Sequence, residues 1–146
     1  MTMMRMLGRS GIQVSAVGLG CWAIGGPFWS GDMPVGWGEV DDDESMRAIR
    51  RALDLGVNFL DTSDVYGTGR SERVIARALQ GRRDQVVIAT KFGNLFDETK
   101  RQMAGADASP AYIRRACEAS LKRLNTDIID LYQFHLNGYD ADRAGE

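Results

Sequence analysis

Three short, mostly apolar runs, at residues 57–60, 86–89 and 128–134, each stop within two positions of a residue whose side chain is able to do chemistry. Those residues are Asp61, Lys91 and His135. Helix-like stretches separate the runs, and that alternation is the strongest constraint on the fold. Asp41 and Glu44 have capping-box spacing, after which Met46, Ile49, Ala52 and Leu53 share one helical face. Ser71 reads as the cap of a second helix, with Val74, Ile75, Ala78 and Leu79 facing inward and Gly81 ending it. Ser109-Pro110 is a strong start for a third, whose inner face is Ile113, Ala116, Cys117, Ser120, Leu121 and Leu124. Residues 14–22 read as a first buried strand, in which Gly18 and Gly20 allow close backbone approach. Strand, helix, strand, helix, strand, helix, strand describes a parallel sheet with right-handed crossovers. Such sheets gather their functional groups at the C-terminal ends of the strands.

The remaining segments are less regular. Two strand-like pieces within residues 4–14 flank a turn at 8–11, which predicts a hairpin. Residues 23–40, rich in Gly, Pro and Trp, and residues 92–108 show neither period, and both are expected to be long, poorly ordered loops. Gly18-Leu-Gly20 lacks the third glycine of a dinucleotide fingerprint, and Gly67-Thr-Gly69 lacks the Lys-Ser/Thr of a phosphate loop.

The chain has 146 residues, 44% hydrophobic and 26% charged with a net charge of -2, which is the composition of one globular domain. The mixed signs give no basic surface for nucleic acid. No apolar run reaches the ~20 residues of a membrane span. The start has no continuous apolar core before Gly8, so a cytoplasmic location is expected. Cys21 and Cys117 read as buried free thiols. With one histidine and two distant cysteines, there is no zinc-site spacing and no metal is expected.

If the strand ends converge, Asp61, Tyr66, Lys91 and His135 meet. A phenol alone, with a reference pKa of ~10, is a poor acid at neutral pH. An ammonium beside it favours the phenolate, and a carboxylate behind the ammonium keeps that charge in place. An imidazole can direct a substrate oxygen. Such a set would protonate an oxygen that gains negative charge as hydride reaches its carbon.

The chain resembles the N-terminal half of an aldo-keto reductase. The resemblance is carried by residues 7–15, Gly18-Leu-Gly-Cys-Trp22, the stretch Asn58-Phe-Leu-Asp-Thr-Ser-Asp-Val-Tyr-Gly67, Ala89-Thr-Lys-Phe-Gly93 and Asp130-Leu-Tyr-Gln-Phe-His135. It implies a (β/α)8 TIM barrel, represented here by a hairpin, about four strands and three helices, with residues 1–146 as one half of the domain. It implies NADPH-dependent reduction of an aldehyde or ketone. Tyr66 would be the proton donor, Lys91 and Asp61 its activating pair, and His135 the residue that orients the carbonyl. Gly20, Cys21, Trp22 and Asp61 would lie beside the cofactor. Such barrels need about 250 residues, so the family's remaining cofactor contacts fall outside this sequence and the chain alone is expected to be nearly inactive. With its strand edges open, the chain in isolation is expected to be molten or aggregated, and the ordered alternatives are self-association or a separate C-terminal half. The alternative reading is a non-catalytic half-barrel that serves as an interaction or regulatory module.

Overall fold

The computed structural model describes residues 3–136; the expected domain, 1–146, extends past this range at both ends. An antiparallel hairpin comes first, β1 (Met4–Met6) and β2 (Gln13–Ser15). The main chain of the barrel follows as β3 (Leu19–Gly20), α1 (Asp42–Asp54), β6 (Phe59–Asp61), α2 (Arg70–Ala78), β7 (Val87–Phe92), α3 (Pro110–Leu124) and β10 (Leu131–Phe134). Between these lie two smaller hairpins, β4 (Trp29–Ser30) with β5 (Met33–Pro34), and β8 (Asn94–Asp97) with β9 (Gln102–Ala106). Strands β10, β7, β6 and β3 pair in that order, all parallel, as a partial barrel with the helices on one side.

The packing follows the apolar pattern. Ile49 and Leu53 of α1, Val74 and Ile75 of α2, and Leu124 of α3 meet Leu60 and Ile88 of the sheet in one buried cluster. Burying such side chains contributes about 1.5–3 kcal/mol each, which makes this layer the main source of stability. Two helix starts agree with expectation. The Asp41 carboxylate accepts from the Glu44 N–H at 2.7 Å, and the Ser109 hydroxyl accepts from the Tyr112 N–H at 3.3 Å.

Five expectations are corrected. The stretch 14–22 is not one strand. Asn58 intercepts it: the Asn58 side-chain oxygen accepts from Ser15 N–H at 2.6 Å, and the Ser15 hydroxyl accepts from Asn58 N–H at 3.1 Å. The chain therefore turns after β2, and only Leu19 and Gly20 enter the parallel sheet, opposite Leu60 and Asp61. Gly18 passes so close to Phe59 that an added Cβ would lie 2.7 Å from its ring.

Ser71 does not cap α2. Gly69 holds that position with a left-handed φ of 93°, and Ser71 points inward, its hydroxyl donating to the Cys21 carbonyl at 2.9 Å. The helix ends at Ala78, ahead of Gly81. Cys21 is buried as expected, but Cys117 is half-buried, and both are free thiols.

The largest correction concerns the two irregular segments. Residues 23–40 and 92–108 form one four-stranded sheet, ordered β5-β4-β9-β8. Trp29 pairs in parallel with Gln102, and Trp29 N–H donates to the Arg101 carbonyl at 2.9 Å. The Gln102 amide adds a bond to the Gly31 carbonyl at 3.1 Å. Backbone pairing between segments some seventy positions apart leaves no local period, which is why the sequence reads as loop there. This small sheet stands at the end of the barrel strands that carries the candidate site.

Candidate active site

The register of the parallel strands brings three of the expected residues together, and a turn brings the fourth. Asp61 ends β6, and Lys91 lies near the end of β7, which pairs with it. The Lys91 ammonium lies 2.9 Å from Asp61 Oδ1 and 3.0 Å from Oδ2, and donates to the Thr62 carbonyl at 2.8 Å. Its remaining contact is the Tyr66 hydroxyl at 3.2 Å. Four oxygen atoms from three residues thus fix an ammonium whose side chain is only 13% exposed. The lysine is bound in place by the carboxylate and carbonyl behind it and offers its free direction to the phenol.

Tyr66 owes its position to a tight crossing of two backbones. Gly67 packs on Gly25, in the short 3-10 turn Ala23–Gly25. A Cβ on Gly67 would lie 1.8 Å from the Gly25 carbonyl oxygen, and Gly67 has φ +58°. Gly67→Ala is therefore expected to destabilise the chain by about 1–3 kcal/mol through overpacking and to displace Tyr66. Denaturant unfolding checks the first effect; a loss under ~0.5 kcal/mol would mean that the crossing relaxes freely.

His135 follows β10 and is tied by backbone, its N–H donating to the Phe92 carbonyl at 2.9 Å. The Asn94 amide donates to the His135 carbonyl at 2.8 Å. Its ring stands edge-on to Tyr66, centroids 5.9 Å apart. Nδ1 lies 3.1 Å from the Ser63 hydroxyl, so Nε2 is the nitrogen left for a ligand. Burial, and then the Lys91 charge, lower the His135 pKa below its ordinary value, with Asp61 opposing. The imidazole is neutral at pH 7.

The residues expected beside a cofactor divide. Gly20 and Trp22 are exposed, and the Asp61 side chain is 41% exposed. Cys21 is sealed in the core with its thiol pushed up to about 12, first by burial and then by Asp61, against the pull of Lys91. Its side chain faces the barrel packing, and its N–H donates to the Asp61 carbonyl at 2.8 Å. Trp22 stacks on Tyr66 at 6.2 Å and meets the edge of Trp37 at 5.6 Å.

A cavity of about 330 Å³ opens against Tyr66 and His135. Trp22, Phe28, Val35, Val65, Asn94 and Met103 complete its lining. Sequence reasoning missed most of these residues, because they come from the two rim hairpins and carry no chemistry of their own. It also missed the buried polar layer below. Glu72 is fully buried on α2, accepting from the Thr90 hydroxyl at 2.6 Å and from Arg123 Nε at 2.6 Å. Arg123 also reaches Glu98, which pairs in turn with Arg73. A second buried acid, Asp64, has its carboxyl pushed up to about 7. Burial is the main cause and Glu72 the next, while Arg123, the Ser63 hydroxyl and the Val65 N–H pull the other way.

The arrangement holds groups able to move a proton: a phenol against an ammonium, an imidazole at its side, and a mostly apolar hollow in front. Comparison with known proteins gives the family. The model of the aldo/keto reductase family matches residues 16–144. The chain is 44% identical over 128 residues to the aldo-keto reductase YhdN of Bacillus subtilis (strain 168), covering 86% of this chain and 35% of that protein. Among solved structures it is similar to the holo form of aldo-keto reductase AKR11C1 from Bacillus halodurans. The TM-score is 0.81 at 38% identity, over 98% of this chain and 42% of that one. It is also similar to an aldo-keto reductase from Klebsiella pneumoniae in complex with NADPH, with a TM-score of 0.62 at 27% identity, over 92% and 39% of the two chains. The chain spans 35–38% of the length of the curated relatives it matches. From the strand-end register to the family match, the observations agree: the chain belongs to the aldo/keto reductase family.

Proposed function

We propose that this chain supplies the proton-transfer half of an NADPH-dependent carbonyl reductase, acting on a small aldehyde or ketone. The observation that carries the reading is the contact of Lys91 with Asp61, the Thr62 carbonyl and the Tyr66 hydroxyl at once. The substrate oxygen would sit between Tyr66 and His135 Nε2, in a cavity whose remaining walls are mostly apolar. Tyr66 donates its proton to that oxygen. The phenolate left behind faces Lys91, which donates to it, and a proton from solvent restores the phenol. His135, neutral at pH 7, sets the direction of the carbonyl.

The residues present fit the nicotinamide end of the cofactor. Gly20, Trp22 and Asp61 are the exposed groups that would lie along it, and an added Cβ at Gly20 would meet nothing within 4 Å. When bound, NADPH supplies the hydride. Among the described residues, none that lines the cavity is a lysine or arginine, so the phosphates would have to be held by groups other than these.

That division sets the test. The 146-residue chain by itself is expected to oxidise NADPH with 4-nitrobenzaldehyde at little above background, because hydride transfer depends on positioning of the donor. A chimera in which this chain replaces the matched segment of YhdN is expected to turn over. A folded chimera without turnover would overturn the proposal and favour a non-catalytic half-barrel. Turnover by the chain alone at the chimera's rate would show that the additional segment is not needed.

A further inference from the structure

Behind His135 lies a pair of side chains that the proton-transfer scheme does not use. The Ser63 hydroxyl oxygen is 3.1 Å from His135 Nδ1 and donates to Asp64 Oδ1 at 3.3 Å. Ser63 is fully buried and Asp64 is 1% exposed. A serine hydroxyl carries one hydrogen. It can give that hydrogen to the carboxylate or to the imidazole nitrogen, and whichever it does not serve must adjust.

We propose that Ser63 and Asp64 are positioning residues that select the tautomer of His135, and so decide whether Nε2 offers a hydrogen or a lone pair to the substrate oxygen. The proposal rests on the reading of His135 as the group that directs the carbonyl. With Asp64 ionised, Ser63 donates to Asp64 and its lone pair accepts the His135 Nδ1 hydrogen. Nε2 then has no hydrogen and repels a carbonyl oxygen. With Asp64 protonated, the acid hydrogen goes to Ser63, the Ser63 hydrogen goes to Nδ1, and the ring carries its hydrogen on Nε2. One proton taken from solvent separates the two states. The ring gives up its Nδ1 hydrogen and gains one at Nε2, on the cavity side.

The surroundings place this exchange near neutrality. Asp64 faces Glu72 from α2, Tyr112 and Arg123 from α3, and Tyr132 from β10, and Arg115 of α3 lines the cavity beside it. The Tyr132 hydroxyl is a buried polar atom without a partner among the described residues. His135 itself faces Lys91 and Asp61, and Tyr66 at its edge. The acid pair Asp64 and Glu72 disfavours two charges in one core, and Arg123 is already shared by Glu72 and Glu98. Asp64, with its carboxyl at about 7, is neutral below that pH and ionised above it. His135 is held below its ordinary value and stays uncharged across the upper part of the same range. The donor form, Nε2–H, is therefore the low-pH form.

The chain has a single histidine, so its imidazole can be read without ambiguity. Long-range proton–nitrogen correlation on the 15N-labelled 146-residue chain, from pH of about 6 to about 8, reports which ring nitrogen is protonated. The expected result is an inversion of the tautomer ratio, Nε2–H at the acid end and Nδ1–H at the basic end. Asp64→Asn, which does not titrate, should hold one tautomer throughout, and Ser63→Ala should likewise remove the pH step. A wild-type ratio that stays flat, as it would in an unfolded chain, overturns the proposal. So does a step that survives Ser63→Ala, or a step in which both nitrogens become protonated, since that would report imidazolium. The measurement uses neither cofactor nor carbonyl. An intact tautomer step in a chain whose folded chimera shows no reduction would therefore overturn the functional reading and leave only the control of the His135 tautomer by Ser63 and Asp64 standing.

Discussion

Tyr66→Phe is expected to lower kcat/KM for aldehyde reduction by about 10²–10⁴-fold in the YhdN chimera, with most of the loss in kcat. The substitution removes one oxygen and leaves the rest of the site in place. The phenyl ring keeps its stacking on Trp22 and its edge contact with His135. Lys91 keeps Asp61 and the Thr62 carbonyl as partners, so no buried charge is orphaned. What goes is the hydrogen bound for the substrate oxygen, together with the Lys91 contact that would hold the phenolate. An effect confined to the transition state appears in kcat, whereas lost ground-state binding would appear in KM. Steady-state kinetics on the two proteins separate these. A drop of less than about tenfold would mean that the proton comes from elsewhere, with His135 the next candidate.

Glu72→Ala is expected to destabilise the chain by about 3–5 kcal/mol, a large share of the roughly 5–15 kcal/mol available to a small domain. Glu72 has no exposure at all, and Arg123, its partner, has 10%. Removing the carboxylate leaves a buried guanidinium with Glu98 at 3.4 Å and the Ser120 hydroxyl at 3.2 Å, and leaves the Thr90 hydroxyl without its acceptor. The pair also links three elements, since Glu72 belongs to α2, Thr90 to β7 and Arg123 to α3. Glu72→Gln keeps an acceptor for Thr90 and should lose less. Urea unfolding of the three proteins gives the ranking. Equal stability of Glu72→Ala and the parent chain would show that Arg123 reaches water when its partner is removed.

What can be read from the sequence, and what cannot, divides along physical lines. The parallel strands announce themselves because each is a short, mostly apolar run between helical stretches, and the polar residue at or just past its end marks the edge where the candidate site lies. That edge is enough to place Asp61, Lys91 and His135 from the residue pattern alone. The hairpin β1–β2 and the caps Asp41 and Ser109 are local features with local signals. Glu72 is invisible for the opposite reason. A glutamate in the first turn of an amphipathic helix normally faces water, and only Thr90 and Arg123, distant in sequence, make it a core residue. Ser71 misleads as a cap because a serine before an apolar face suits either a helix start or an inward hydrogen bond. Gly69, in the left-handed conformation, takes the first role. The rim hairpins have strands two to five residues long and borrow their order from each other.

The rim has a further consequence for how such a protein can change over generations. Two connections that follow different barrel strands are stitched by the pairing of Trp29 with Gln102 into one sheet, and both contribute walls to the same hollow. Residues Phe28 and Val35 come from one hairpin segment, Asn94 and Met103 from the other. An insertion in either one shifts the seam as well as its own tip. A change in the shape of the hollow is therefore expected to need matched changes in both segments, and a graft of one segment alone is expected to break the stitch before it reshapes the hollow.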